Sequence, residues 1–233
     1  MEFSNQILTF QNAEIGYDNN ALINSISLSA NKGELISLMG LNGTGKTTLF
    51  RTILGEIPLI SGEILMNEKS INPKEIQHQV GVVFTNRISI YGFTVRDMVA
   101  MGRMPFTNTF GKLSEKDDEV VSRFISELKL EDISETEINN LSDGQFQKVM
   151  IARALAQETP LLLLDEPTAF LDVKNKKNIH SLLSELAGKN EKTIIVSTHN
   201  IEFCKEFCNK AWLINEKQLI EKNSSTISDK DFD

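Results

Sequence analysis

Long apolar runs are missing from this 233-residue sequence. Stretches such as LLLLD and TIIVST are far too short to cross a bilayer, which takes about 20 apolar residues. Positive charge is also scarce. With 24 Lys and Arg against 32 Asp and Glu the net charge is -8, so no basic footprint points to nucleic acid. The opening MEFSNQILTF has none of the basic, apolar and small-residue regions of a secretory signal. The expectation is a chain made and kept in the cytosol, reaching a membrane only through a partner. Cysteine is limited to Cys204 and Cys208, four apart in EFCKEFC. A disulfide at that spacing would strain a helix, and only His199 is near enough in sequence to share a metal. Both are therefore read as reduced, partly buried thiols. Repeats and low-complexity blocks are absent too. What is left, 40% hydrophobic and 24% charged, is ordinary globular composition with length for a sizeable core.

The first thirty residues read as β-strands around a polar DNN turn at 18–20. ELISLMG (34–40) is a short apolar strand that runs into a glycine-rich turn and then a helix, TTLFRTILG. SGEILMN and QVGVVFT are further strands. From about Thr94 to Ala156 the pattern is helical and includes the acidic segment LSEKDDEVVSRFISELKLEDIS. LLLLD (161–165) and TIIVST (193–198) return as strands around a helix near Asn178–Leu186. Apolar strands alternating with helices imply a buried, largely parallel sheet, so the fold class is α/β with a helical insertion. NSSTISDKDFD, 223–233, reads as a loosely ordered tail.

The stretch Gly40-Leu41-Asn42-Gly43-Thr44-Gly45-Lys46-Thr47 fits G-x-x-x-x-G-K-[ST] and lies between a strand and a helix, as phosphate binding requires. Glycines allow backbone N–H groups to point at phosphate oxygens. Lys46 reaches the outer phosphates, and the Thr47 hydroxyl can ligate Mg²⁺. A nucleoside triphosphate is the expected ligand. In LLLLDEP, Asp165 ends a buried strand where a Mg²⁺-holding carboxylate belongs, and Glu166 can act as general base toward water. His199 ends TIIVSTH at the same edge of the sheet, in reach of the γ-phosphate or of Glu166, although a lone His is often structural. A second helix start, Leu141-Ser142-Asp143-Gly144-Gln145, is capped by Ser142 or Asp143. Capping alone leaves Gly144 unexplained, since Gly weakens a helix unless something must approach its backbone closely. A helix start with a hydroxyl and bare backbone also suits an anion.

Taken in order, GLNGTGKTT (40–48), LSDGQ, LLLLDEP, AFLD (169–172) and STHN resemble the ABC ATPase family over nearly the whole chain. The resemblance implies a P-loop NTPase core with a largely parallel sheet, an N-terminal antiparallel β subdomain and an inserted helical subdomain. On that reading 1–90 and 157–222 form the core, 91–156 the helical subdomain and 223–233 the tail. It implies ATP and Mg²⁺ as cofactors, with Gly40, Asn42, Gly43, Thr44, Gly45, Lys46, Thr47 and Thr48 on the phosphates and Thr47 and Asp165 on the metal. Two copies would face each other head to tail, so that Ser142, Gly144 and Gln145 of one close over the nucleotide of the other, and Asp172 touches the opposite site. Tyr17 matches the aromatic that stacks on adenine, with a strand-end Tyr packed on the core as the lesser alternative. Two positions depart from the family. Asp143 stands where a small residue is usual and is expected to cap the helix and face outward. Thr85-Asn86 stands where a Gln that contacts Mg²⁺ and water is usual. Thr85 could act on the metal through a water, and Asn86 could substitute in part.

Within the family, TVRDMVAMGRMPF (94–106) resembles the ATPases of iron–siderophore, haem and cobalamin importers. Val95, Met98, Val99 and Met101 could simply pack a helical core. The resemblance adds a groove for a cytoplasmic helix of a separate membrane permease, with a substrate-binding protein acting indirectly. The site would then lie at the cytoplasmic face of the inner membrane. An exporter or lipoprotein-release ATPase is the nearer alternative. A soluble translation or DNA-repair ATPase is the farther one, disfavoured by one cradle, no heptad run and an acidic balance.

Overall fold

The computed structural model describes residues 5–18, 20–71, 75–85, 89–107, 112–169, 171–190 and 192–232. In chain order its main elements begin with β1 (Gln6–Tyr17), β2 (Asn20–Ile26), β3 (Ser29–Asn31), β4 (Leu35–Met39) and α1 (Lys46–Ile53). There follow β5 (Ser61–Met66), β6 (Lys69–Ser70), β7 (Val80–Val83), α2 (Val95–Ala100), α3 (Glu115–Glu127) and α4 (Asp143–Ala156). The chain closes with β8 (Leu161–Asp165), α5 (Val173–Asn190), β9 (Thr193–Ser197), α6 (Ile201–Phe207), β10 (Lys210–Asn215) and β11 (Gln218–Asn223).

Alternation of side chains along the central strands explains why a sheet sits in the middle of this molecule. Leu161 and Leu163 of β8 and Ile195 of β9 pack one face against Leu49, Phe50 and Ile53 of α1. Their neighbours Leu162, Leu164, Ile194 and Val196 pack the other face against Val149, Ile151 and Leu155 of α4. Every residue of β4, β8 and β9 is buried, as a strand covered on both faces must be. The strand order is β6-β5-β1-β2-β11-β10-β4-β9-β8-β7, with β3 on β1. From β10 to β7 all pairings are parallel, whereas β1 pairs antiparallel with β2, β3 and β5. The parallel part brings the carboxyl ends of β4, β8 and β9 to one edge, where a ligand binds in such a sheet.

The helical stretch is built on apolar faces turned to that second core. Val95, Met98 and Val99 of α2 are fully buried, with Val121 and Phe124 of α3 beside them. Met101, in the short helix Met101–Phe106, is 38% exposed, so the packing reading holds for three of the four residues singled out. Arg103 from the same short helix is buried and paired to Asp117 at 2.9 Å, tying that helix to α3. Bonds from Ser114, with further help from Arg103, hold the Asp117 carboxyl down to about 2.

Three expectations need correction. The tail is not loose: Ile227 is fully buried with Met39, Cys204 and Leu213, and Lys222 pairs with Asp231. Polar composition hid one apolar anchor and a short helix closed by Ser228 and Asp231. Strands β10 and β11 were not foreseen, because the tight turn Glu216-Lys217 between them carries no Gly or Asn and adopts positive φ with ordinary residues. The helix read near 178–186 spans Val173–Asn190, starting five residues earlier in a lysine-rich stretch whose apolar positions are sparse. Both cysteines are buried free thiols, and Ser37 donates to Cys204 Sγ at 2.9 Å.

Candidate functional site

The loop expected to hold phosphate begins where β4 ends. Gly45 caps α1 with φ 106°, a left-handed conformation that glycine adopts without a side-chain clash, and no side chain caps the helix. The first N–H groups of α1 therefore point out of the helix end with no internal partner, which is the arrangement that suits an anion. Lys46 is buried, and its ammonium donates to the carbonyls of Gly40 (2.8 Å) and Leu41 (3.1 Å). Burial lowers its pKa, while Glu166 and Asp165 oppose that by attraction. Asn42, Gly45, Lys46, Thr47, Asp165 and Glu166 line one cleft, together with Gly43, Thr48 and Thr85. Thr44 folds back on the loop, donating its hydroxyl to Leu41 O at 2.9 Å.

Asp165 is a junction. One carboxylate oxygen accepts from Thr47 Oγ1 at 2.8 Å and the other from the Ser197 hydroxyl. Its backbone carbonyl accepts from Thr85 Oγ1 at 2.7 Å. Two hard oxygens, Thr47 Oγ1 and Asp165 Oδ2, thus meet beside the phosphate loop, a donor set that fits Mg²⁺ completed by waters and phosphate. Thr85 has committed its proton to Asp165, leaving only lone pairs for a metal-bound water. Asn86 lies outside the described residues. Glu166 follows at φ 44°, an uncommon backbone state for a non-glycine residue, held by its N–H bonding Ser197 Oγ at 2.9 Å and Ser197 O at 3.1 Å. Ser197, missed in the sequence, bonds from β9 to both Asp165 and Glu166; its place two residues before His199 in STHN was the available signal.

His199 is 74% exposed and its Nδ1 stands 4.0 Å from Glu166 Oε2, too far for a hydrogen bond. The two residues share a second cleft with Gly40 and Asn42. Tyr17 is half exposed, with its hydroxyl 3.4 Å from Thr48 Oγ1, so the ring stands beside the first turn of α1 rather than in the core. Ser142, Gly144, Gln145 and Asp172 do not line the cradle cleft. They gather elsewhere, at the starts of α4 and α5. There Ser142 caps α4 by accepting from Gln145 N at 3.3 Å, while Gln145 Oε1 accepts from Ser142 N at 3.0 Å. The cap belongs to Ser142 and not to Asp143, which is exposed as expected. Phe170, between Ala169 and the Asp172 cap, lies outside the described residues.

The ABC transporter family profile matches residues 23–169. The chain belongs to the ABC transporter family. It is accordingly an ATP-binding subunit with ATPase activity. A molybdate import ATP-binding protein of Haemophilus influenzae is 34% identical over 92% of this chain and 81% of its own length. An iron(3+)-hydroxamate import ATP-binding protein of Bacillus subtilis is 30% identical over 94% and 82% respectively. Among solved structures, a metal-chelate type ABC transporter in an inward-facing conformation superimposes with a TM-score of 0.86 at 32% identity, covering 96% of this chain and 85% of that one. Among the described residues no helix is long and apolar enough to cross a membrane.

Proposed function

We propose that this chain is the ATP-hydrolysing subunit of an ABC importer, working at the cytoplasmic face of the cell membrane on a separate permease. The observation that carries the chemistry is the convergence of the uncapped start of α1, the Thr47–Asp165 pair and Glu166 at one sheet edge. Residues 40–48 hold the triphosphate, and Tyr17 offers its exposed ring to the base. Thr47 and Asp165 hold Mg²⁺, which when bound offsets phosphate charge. Glu166 accepts a proton from the attacking water, and His199 donates a hydrogen bond to the terminal phosphate. Two copies associate head to tail, with Ser142, Gly144, Gln145 and Asp172 of one completing the site of the other. Residues 91–156 act as the helical unit on a core of 1–90 and 157–222. Exposed Tyr91, Met104 and Phe106 offer the permease an apolar docking face.

The iron-hydroxamate relative and the metal-chelate transporter support an iron chelate as cargo, with haem or cobalamin as neighbouring possibilities. The molybdate relative supports an oxyanion as the second reading. Purification from native membranes in mild detergent tests the assignment: an integral permease recovered in equal amount is expected, and its absence alongside soluble partners removes the transport role. Uptake assays with labelled ferric hydroxamate and labelled molybdate in cells with and without the chain separate the two cargoes. For the chemistry, Glu166→Gln is expected to retain ATP while phosphate release falls about 10³-fold. Ordinary turnover by that variant would remove Glu166 as the base.

A further inference from the structure

The start of α4 meets the start of α5 at Gly144. Asn175, in the first turn of α5, donates its backbone N–H to one Asp172 carboxylate oxygen at 2.8 Å. Its side-chain amide donates to the other at 3.1 Å. Both oxygens of Asp172 are therefore engaged by one residue. The same amide lies flat against Gly144. A Cβ added at Gly144 would stand 2.9 Å from Asn175 Cγ, 3.0 Å from Oδ1 and 3.1 Å from Nδ2. Gly144 is buried, whereas Ser142 and Asp172 on either side of this contact are exposed. The absent side chain at 144 thus has a reason inside the chain itself, different from the approach of an anion.

We infer that Asn175 is a positioning residue that locks the Asp172 loop to the start of α4, so that both are presented to a second copy as one preset surface. This rests on the head-to-tail pairing proposed above. Neither Asn175 nor its contacts lie in the nucleotide cleft, so ATP binding by one copy is independent of it. Without the amide, Asp172 keeps a single hydrogen bond, a gap opens over Gly144, and the two exposed segments must be ordered at the moment of association. The chain entropy lost then weakens pairing without touching the cradle.

Sedimentation with ATP in a Glu166→Gln background reads the pairing directly. Asn175→Ala is expected to weaken ATP-driven dimerisation at least about tenfold, the cost of ordering the freed segments on association, with single-copy ATP affinity little changed and the melting temperature lowered by the loss of one intrachain hydrogen bond. Asn175→Asp keeps the volume but sets two carboxylates together, and is expected to weaken pairing further. Gly144→Ala alone displaces the amide, and Gly144→Ala with Asn175→Ala is expected to dimerise no worse than Asn175→Ala. Dimerisation by Asn175→Ala at the parental level overturns the inference. So does a double variant that dimerises markedly worse than Asn175→Ala, which would show that Gly144 is bare for the nucleotide instead. If the parent itself stays monomeric with ATP, the pairing reading fails as a whole. A thermal-unfolding cycle of the parent, Asn175→Ala, Gly144→Ala and the double variant then still reads the Asn175–Gly144 contact, and additive shifts there remove it as well.

Discussion

Two helix starts in this molecule have been prepared in opposite ways. At α1 a left-handed glycine replaces any capping side chain, and the first N–H groups are left to a ligand. At α4 a Ser and a Gln close the helix end reciprocally, as Thr94 with Asp97 does at α2 and Ser114 with Asp117 at α3. The difference teaches what each end can do alone. α1 keeps its first N–H groups open within one copy of the chain, with the Lys46 ammonium already held by the Gly40 carbonyl. α4 is satisfied within its own chain, yet the Ser142 hydroxyl there only accepts, so its O–H can be donated to an anion without breaking the cap. One end offers a set of backbone N–H groups; the other offers a single hydroxyl.

The contrast can be broken most severely at α1. Lys46→Ala removes the charge-assisted bonds to phosphate and is expected to weaken ATP binding by about 10–150-fold, read with a fluorescent ATP analogue. Retained affinity would mean that the backbone amides suffice without the lysine. Next, Ser142→Arg places bulk and charge at the α4 start. Single-copy ATP binding is expected to be unchanged, while ATP-driven dimerisation in light scattering disappears. Intact dimerisation and hydrolysis would leave α4 as an ordinary capped helix. The smallest effect comes from Ser142→Ala, which removes only the cap. It is expected to cost about 1 kcal/mol of unfolding stability in a denaturant titration, and an unchanged midpoint would show that Gln145 alone closes the helix end.

Much of this site is readable from residues alone because its chemistry is local. A phosphate loop needs its glycines, lysine and hydroxyl in one short segment, so Gly40 to Thr48 could be seen without a fold. Asp165 and Glu166 were legible because an apolar strand must end before a polar turn. What escaped were contacts between segments distant in sequence. Ser197 reaches Asp165 across neighbouring strands, and Asn175 meets Gly144 across 31 positions, and no pattern of one segment encodes either pairing. Composition misled at the chain end, where a single buried Ile227 outweighs the polar residues around it. Gly144 shows the same limit: its oddity in a helix was plain, but which neighbour needed the space was not.

The packed end segment has a practical consequence. Asp229 and Phe232 form one wall of the cleft that also holds Gly40, Glu166 and His199. A fluorescent label attached at Phe232 would therefore sit beside the loop start and the two side chains proposed to act on the terminal phosphate, and its emission would report what enters that cleft without any change to the cradle residues.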